Sequence, residues 1–587
     1  MKSPITLVCV AVSVLSASLS AQVTIVKGVA PSGFVRSMNN NNNSLALTPD
    51  GAIWAVVYVV DKAGANGHLE LRRSLTHGNI WLSGTYPLPN NTSHNNHHNN
   101  SGCIVAGRDG DKLHVTWGDR TANASYWSAM YQVFNTNTLK WVGTPKLLAK
   151  GYGANNQFWP VDIAMTAKGT LAVCISGHRA GGLGLGVWDC GLAVKPRGGS
   201  FNTTLLNLRK GGASYSQNAS IVSVGETIHC CMKNSTGGYG ICYRAYDTEG
   251  KNWNQASQVF VGPNNNAGIA AGNKSAIAAD RDGGLYVIYC TGSGSAPRTL
   301  RLAYAAPGKG GSNVDWKDFH IIKNTQTIGT NYRKAAAGKY GYPQIQGGNS
   351  NTFNYTLASA AGGNVYAVYS KSFETFASLY VQGFNKGSSV LPEVKISGTT
   401  KPYSFEWITG LRNGDHSYSA SWLSFGKTDA PSPNNGTYPN GQVDFWRLGS
   451  NSIARSVALG IGCQGKLAKR PRVHAYDTLP TLGTTFKIQL DRFPASANFF
   501  LAIGTSMLLP PLNLGFMFSP TCDMNNTFPL IVPLQVPSSG VMTIPWNVPN
   551  DPKLIGARVY AQCLVVSPGS TPGNVVTTNS LCVILGT

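Results

Sequence analysis

Charge is scarce in this sequence and acid scarcest of all: 12% of its 587 residues are charged, and 25 Asp and Glu stand against 47 Lys and Arg. So small a stock of carboxylates weakens any expectation of a glycosidase-type acid pair. After residue 21 no apolar run approaches the length of a membrane-spanning helix, so no helical membrane span is expected. Helical periodicity is missing too, which argues against helical repeats. No CxxC pair occurs, and Cys230 and Cys231, being adjacent, point to opposite faces of a strand, so no zinc or other metal site is expected. The run Gly182–Gly186 (GLGLG) has the composition of a nucleotide loop but no flanking strand–helix unit, so no cofactor is expected either.

What is present begins with residues 1–21, a lysine followed by ITLVCVAVSVL and the small-residue exit SASLSA, the pattern of an export signal. The mature chain is therefore expected outside the cell or at its surface. Loss of Cys9 leaves an odd number of cysteines, and an oxidising compartment admits disulfides. Cys174 with Cys190, and Cys242 with Cys230 or Cys231, are the short-range pairs expected.

One phrase, a turn followed by a strand, recurs along the chain. It reads PDGAIWAVVY at Gly51, RDGDKLHVTW at Gly110, AKGTLAVCI at Gly169, VGETIHCCM at Gly225, RDGGLYVIYC at Gly283, AGGNVYAVYS at Gly363 and RNGDHSYSASW at Gly414. The gaps are 59, 59, 56, 58, 80 and 51 residues. Seven copies of one β unit at this period predict an all-β, seven-bladed β-propeller over residues 22–450, since a solenoid's repeats are shorter and carry helices. Segments ending in Trp81, Trp141, Trp253 and Trp316 lie between the repeats; Ser74, Gly78 and Trp81 fit the Asp-box spacing with Thr76 in place of aspartate. These tryptophans are read as packing groups. After about residue 450 shorter strands are expected at Phe486–Leu490, Phe499–Ile503, Arg558–Val565 and Leu581–Leu585, a small β-sandwich over residues 451–587. Its cysteines, Cys463, Cys522, Cys563 and Cys582, permit two bridges of undetermined pairing.

The formal charge of +22 attracts polyanions. The cations are scattered without a nucleic-acid recognition motif, so an acidic polysaccharide, rather than nucleic acid, is the expected partner of a monomeric protein. A cluster at Lys466, Lys469, Arg470 and Arg472 reads as a solvated linker or as a contact for an envelope polyanion.

The order RRSLTHGNIW, a His–Asn segment, DGDKLHVTWGDR, then FWPVDIAMTAKGTLAVCISGHRAGGLGLG resembles the BNR-repeat propellers that include ulvan-type and related uronate polysaccharide lyases. The resemblance covers roughly residues 23–450 and is strongest between Leu69 and Gly186. It matches His98 and Asn99, with His97 as the alternative, to the family's His–Asn pair, and Arg179, Gly181 and Gly184 to its arginine element. Arg120 stands where the family has histidine, and Trp159 where it has tyrosine. The C-terminal part is similar to a module of exported proteins from planctomycete-like bacteria, with the opening GIGC and the strand GARVYAQ.

Elimination across a uronic acid requires donors on the carboxylate, a base for the C5 proton and an acid for the leaving oxygen. The matched residues suit this chemistry, Arg179 on the carboxylate and His98 as base or acid; by residue type alone, Arg120 joins Arg179 on the carboxylate and Tyr126 or Tyr342 is the proton donor. His97, Asn99, Trp159, His178 and Tyr342 are the expected substrate-binding residues. The segment NNTSHNNHHNNSG reads equally as a polar loop or a casual metal-binding tract, and a histidine placed like His114 commonly packs between blades. A sialidase-like hydrolase is the second enzyme class, with Arg36, Arg72–Arg73–Ser74, Asp61, Arg298 and Arg301 as its candidates, though it lacks an evident tyrosine–glutamate pair. A propeller kept for glycan binding alone is the third reading.

Overall fold

The computed structural model describes residues 23–26, 29, 35–36, 43–48, 52–60, 67–74, 81–89, 102–108, 111–120, 127–150, 157–178, 189–202, 204–208, 216–234, 240–255, 259–261, 275–291, 299–320, 355–360, 363–373, 376–397, 404–412, 420–427, 441–448, 455–459, 471–475, 480–513, 523–526, 529–554, 557–566 and 575–585. Residues 1–21, where an export signal is expected, lie outside them. Among the described residues no helix is long and apolar enough to cross a membrane.

The chain is all-β. Among the described residues up to 448, seven antiparallel sheets follow one another, and the repeated phrase is always the second strand of its sheet: Ile53–Val60, Lys112–Arg120, Leu171–His178, Thr227–Asn234, Leu285–Thr291, Val365–Phe373 and Ala420–Lys427. Each sheet builds outward from an inner strand. In blade 3, for instance, Gln157–Met165, Leu171–His178, Asp189–Lys195 and Leu206–Asn207 pair in that order. The turns before the second strands demand a left-handed residue, and Gly169, Gly225, Gly283 and Gly363 all have positive φ.

A ring results because every seam between neighbouring inner strands is bonded. Ser44 N–H donates to Thr409 Oγ1 (blades 1 and 7, 3.3 Å), Ser44 Oγ to Gly102 O (blades 1 and 2, 3.1 Å), and Arg108 Nε to Thr166 O (blades 2 and 3, 2.9 Å). Ser220 Oγ donates to Asp162 (blades 3 and 4, 2.9 Å), Ile277 N–H to Ser220 Oγ (blades 4 and 5, 3.2 Å), Ser359 Oγ to Ala279 O (blades 5 and 6, 2.8 Å) and Ser359 N–H to Leu411 O (blades 6 and 7, 2.7 Å). Closure is completed by the first strand, Val23–Val26, which pairs with Gly441–Leu448 as the outer strand of the last blade. The fold is a β-propeller, and closing the ring removes free edges between blades.

The seams are close. A Cβ on Gly410 would lie 2.2 Å from Leu357 O, so only glycine fits where blade 7 meets blade 6. The tryptophans pack as expected, mostly onto the preceding blade. Trp316 stands edge-on to Tyr243, Trp141 donates its indole N–H to Pro87 O at 3.0 Å, and Trp81 meets Phe445 of blade 7. Trp253 packs on Tyr246 of its own blade, with Arg244 over its face.

The expected C-terminal strands are found as Thr485–Asp491, Asn498–Gly504, Arg558–Val566 and Ser580–Ile584. They belong to two sheets that share a core of Val473, Phe486, Ile488 and Leu490 against Phe499, Leu501, Cys563 and Val565. Tyr560, Cys582 and Ile584 join instead the apolar cluster around blade 1. Arg472 pairs with Asp491 and donates to Arg281 O at 3.3 Å, tying these sheets to the turn between the first two strands of blade 5.

The disulfides expected from spacing at Cys174, Cys190, Cys230, Cys231 and Cys242 are not formed; the described cysteines are buried thiols. Strand register explains it. Cys174 lies opposite Leu192 and Cys190 opposite Ser176, so the two are diagonal neighbours. Cys242 lies opposite Met232, diagonal to Cys230 and on the other face from Cys231. Diagonal positions are about 7–8 Å apart, beyond the usual span of a bridge. Cys582 lies opposite Tyr560, three residues from Cys563, so those two point to opposite faces. Cys463 and Cys522 lie outside the described residues.

Candidate functional site

Strand polarity divides the propeller into two ends. In a meandering blade the first-to-second and third-to-fourth turns lie at one end; the second-to-third connections, and the crossings to the next blade, lie at the other. The turn end carries the Asp280–Gly284 turn that the C-terminal sheets contact through Arg472. The opposite, loop end carries the sequence candidates.

His97, His98 and Asn99 fall in the crossing that leads to Gly102–Ala106, Tyr126 between Lys112–Arg120 and Trp127–Asn135, Arg179 between Leu171–His178 and Asp189–Lys195, and Tyr342 in the crossing to Tyr355–Ser359. These six residues lie outside the described ones. Arg120 and His178 are the last residues of the second strands of blades 2 and 3, opposite Trp127 and Gln157. Blades 2 and 3 are neighbours, so the connections that carry all but Tyr342 leave adjacent blades at one end.

Trp159 is described, and the structure changes its expected role. It is 5% exposed and packs with Val161, Cys174 and Ala219 in the core between blades 3 and 4. An indole so placed is a packing group rather than an exposed one. His114 stacks on Tyr131, with Nδ1 2.6 Å from the phenol oxygen, and His229 repeats the arrangement on Tyr243 at 2.6 Å. Burial lowers His229 to about 4 and pushes both phenols well above their ordinary range. These pairs are structural.

The sialidase candidates do not converge among the described residues. Arg72 is buried against Glu70, Arg73 lies over Trp54, and Arg301 is paired to Asp318, which also accepts a hydrogen bond from Tyr289. Asp61 and Arg298 lie outside the described residues, as does the side chain of Arg36. A tyrosine–glutamate pair does exist in blade 6, Tyr369 donating to Glu393. Tyr369 is fully buried and stacked on Tyr380, and burial together with the carboxylate raises its phenol far above the ordinary range, the opposite of an activated nucleophile.

The propeller axis holds a group that the sequence did not single out. Arg412, just after the inner strand of blade 7, donates Nη2 to Asp162 Oδ1 at 2.6 Å and Nη1 to Ile277 O at 3.0 Å and to Ser220 Oγ. Asp162 also accepts from Ile163 N–H at 2.9 Å and Ile221 N–H at 2.7 Å. Asp162 is fully buried and Arg412 5% exposed, and the pair ties blades 3, 4, 5 and 7 together. The one signal in the sequence is an acid in the middle of the apolar run FWPVDIAM, where a register shift between Pro160 and Asp162 turns it toward the axis.

No protein-family profile matches the chain, and no curated protein matches it in sequence. Solved structures resemble it at low identity. A polysaccharide lyase described as an ulvan lyase is 10% identical, with a TM-score of 0.45 over 73% of this chain and 96% of that one. The sialidase of Trypanosoma rangeli is 10% identical, with a TM-score of 0.34 over 85% and 94%. The α-L-arabinofuranosidase of Fusarium graminearum is 12% identical, with a TM-score of 0.36 over 63% and 98%. Likenesses at this level assign neither residues nor chemistry to the chain.

Proposed function

We propose that the protein is exported after loss of residues 1–21, works as a monomer, and uses the propeller of residues 22–450 to bind an acidic, uronate-containing polysaccharide and cleave it by β-elimination. Residues 451–587 form an accessory sandwich module. One topological observation carries this function: the strand ends and connections that bear His97, His98, Asn99, Arg120, Tyr126, His178 and Arg179 belong to one end of two adjacent blades, opposite the end the C-terminal sheets contact. The charge of +22 favours an anionic ligand there.

In the elimination, Arg120 and Arg179 hold the uronate carboxylate, so that charge building up beside C5 is neutralised. His98 takes the C5 proton, and Tyr126 returns a proton to the leaving glycosidic oxygen. His97, Asn99, His178 and Tyr342 bind the flanking sugars.

The test is absorbance at about 235 nm, where the unsaturated product appears, on a panel of uronate polysaccharides. Growth that is lost in His98→Ala and Arg179→Ala is the expected result; an unchanged rate in both variants refutes the assignment. A glycan-binding propeller without turnover is the second reading, favoured by Arg120 in place of the family's histidine and by the burial of Trp159. Binding without any absorbance change would select it.

A further inference from the structure

We infer that the seam between blades 4 and 5 holds a separate anion subsite built on Lys233, which takes a carboxylate or sulfate of a polyanionic glycan. The inference rests on the acidic-glycan function proposed above and extends its site by one blade. Lys233 is the penultimate residue of Thr227–Asn234, opposite Gln217 and Ile241, so it stands at the loop end of the second strand of blade 4. Arg120 and His178 close the same strand in blades 2 and 3. Three successive blades thus carry a residue of basic type at the same strand end.

Strand alternation puts Lys233 on the face of Cys231, and Cys231 Sγ donates to Ser275 Oγ, the first residue of blade 5, at 3.3 Å. Lys233 therefore faces the seam. It is 3% exposed, and among the described residues no carboxylate pairs with it. Burial without a counter-charge lowers its ammonium to about 8. A buried cation of this kind is costly unless an anion completes it.

The experiment measures calorimetric binding of the full mature protein, its Lys233→Met and Lys233→Arg variants, to polygalacturonate, dextran sulfate and neutral dextran, with a melting curve for each. Polygalacturonate carries only carboxylates and dextran sulfate only sulfates, so the two arms separate the sources of the anion. The expected result is a loss of about tenfold or more in affinity for an acidic polymer in Lys233→Met, with most of it kept in Lys233→Arg, and a melting midpoint equal to or above that of the wild type. Wild-type binding that is unchanged in Lys233→Met overturns the subsite and leaves the glycan function standing. A Lys233→Met protein that melts lower, or does not fold, assigns the lysine to the core and also overturns it. Failure of the wild type to bind either polyanion overturns both.

Discussion

Arg412 and Lys233 are both buried cations of the same propeller, yet one is surrounded and the other is not. Arg412 meets a carboxylate, a hydroxyl and a carbonyl drawn from three blades, whereas Lys233 meets no described counter-charge. A cation whose charge is met by a carboxylate inside the fold is part of its architecture. A buried one left unanswered marks a place where something else is to come. The contrast also follows the two ends of the ring: Arg412 follows the turn end of its strand, and Lys233 precedes a loop-end connection.

The contrast breaks most sharply at the axis. Asp162→Ala leaves Arg412 buried without its carboxylate, and urea unfolding should show a loss of about 3–5 kcal/mol. The double variant Asp162→Ala/Arg412→Met should recover a large part of it. A single-variant loss below about 1 kcal/mol would mean the pair does not brace the ring. Gly410→Ala, which forces a Cβ onto Leu357 O, should cost about 2–3 kcal/mol by the same measurement and leave Asp162 paired. Lys233→Met, by contrast, should cost nothing.

Acid should act next. His229 and His474 are both lowered to about 4 by burial, so the unfolded chain binds their protons first. Stability is then full above about pH 6.5 and falls as the pH drops from there toward 4. A loss on the order of 2 kcal/mol is expected across that window, reduced in His229→Leu; a flat profile would contradict the burial.

Much of the architecture could be read from the chain because each blade repeats one local rule, a glycine turn feeding an alternating strand. Gly169, Gly225, Gly283 and Gly363 sit where that rule needs them. The disulfides were misread because spacing along the chain does not reveal register, and a shift of two residues on paired strands separates Cys174 from Cys190. Asp162 and Arg412 are 250 residues apart, and no local pattern links them. Lys233 looked like any lysine after an apolar run, since its burial depends on blade 5. Trp159 reads in the sequence as a substrate-binding residue, yet alternation along Gln157–Met165 turns it into the core. His97, His98, Asn99, Tyr126, Arg179 and Tyr342 lie outside the described residues; what the sequence alone could not show is that the described strands flanking them have their ends at one end of the ring.

The strand that closes the ring has a consequence in time. Val23–Val26 are among the first residues of the ring to be synthesised, and their partners Phe445–Leu448 among the last. The edge of Val23–Val26 must wait, unpaired, while six whole blades are made, and closure is a late event of high contact order. A free peptide of sequence VTIV would compete for the same edge of blade 7 during refolding, and the propeller is most vulnerable in the interval before its own first strand comes home.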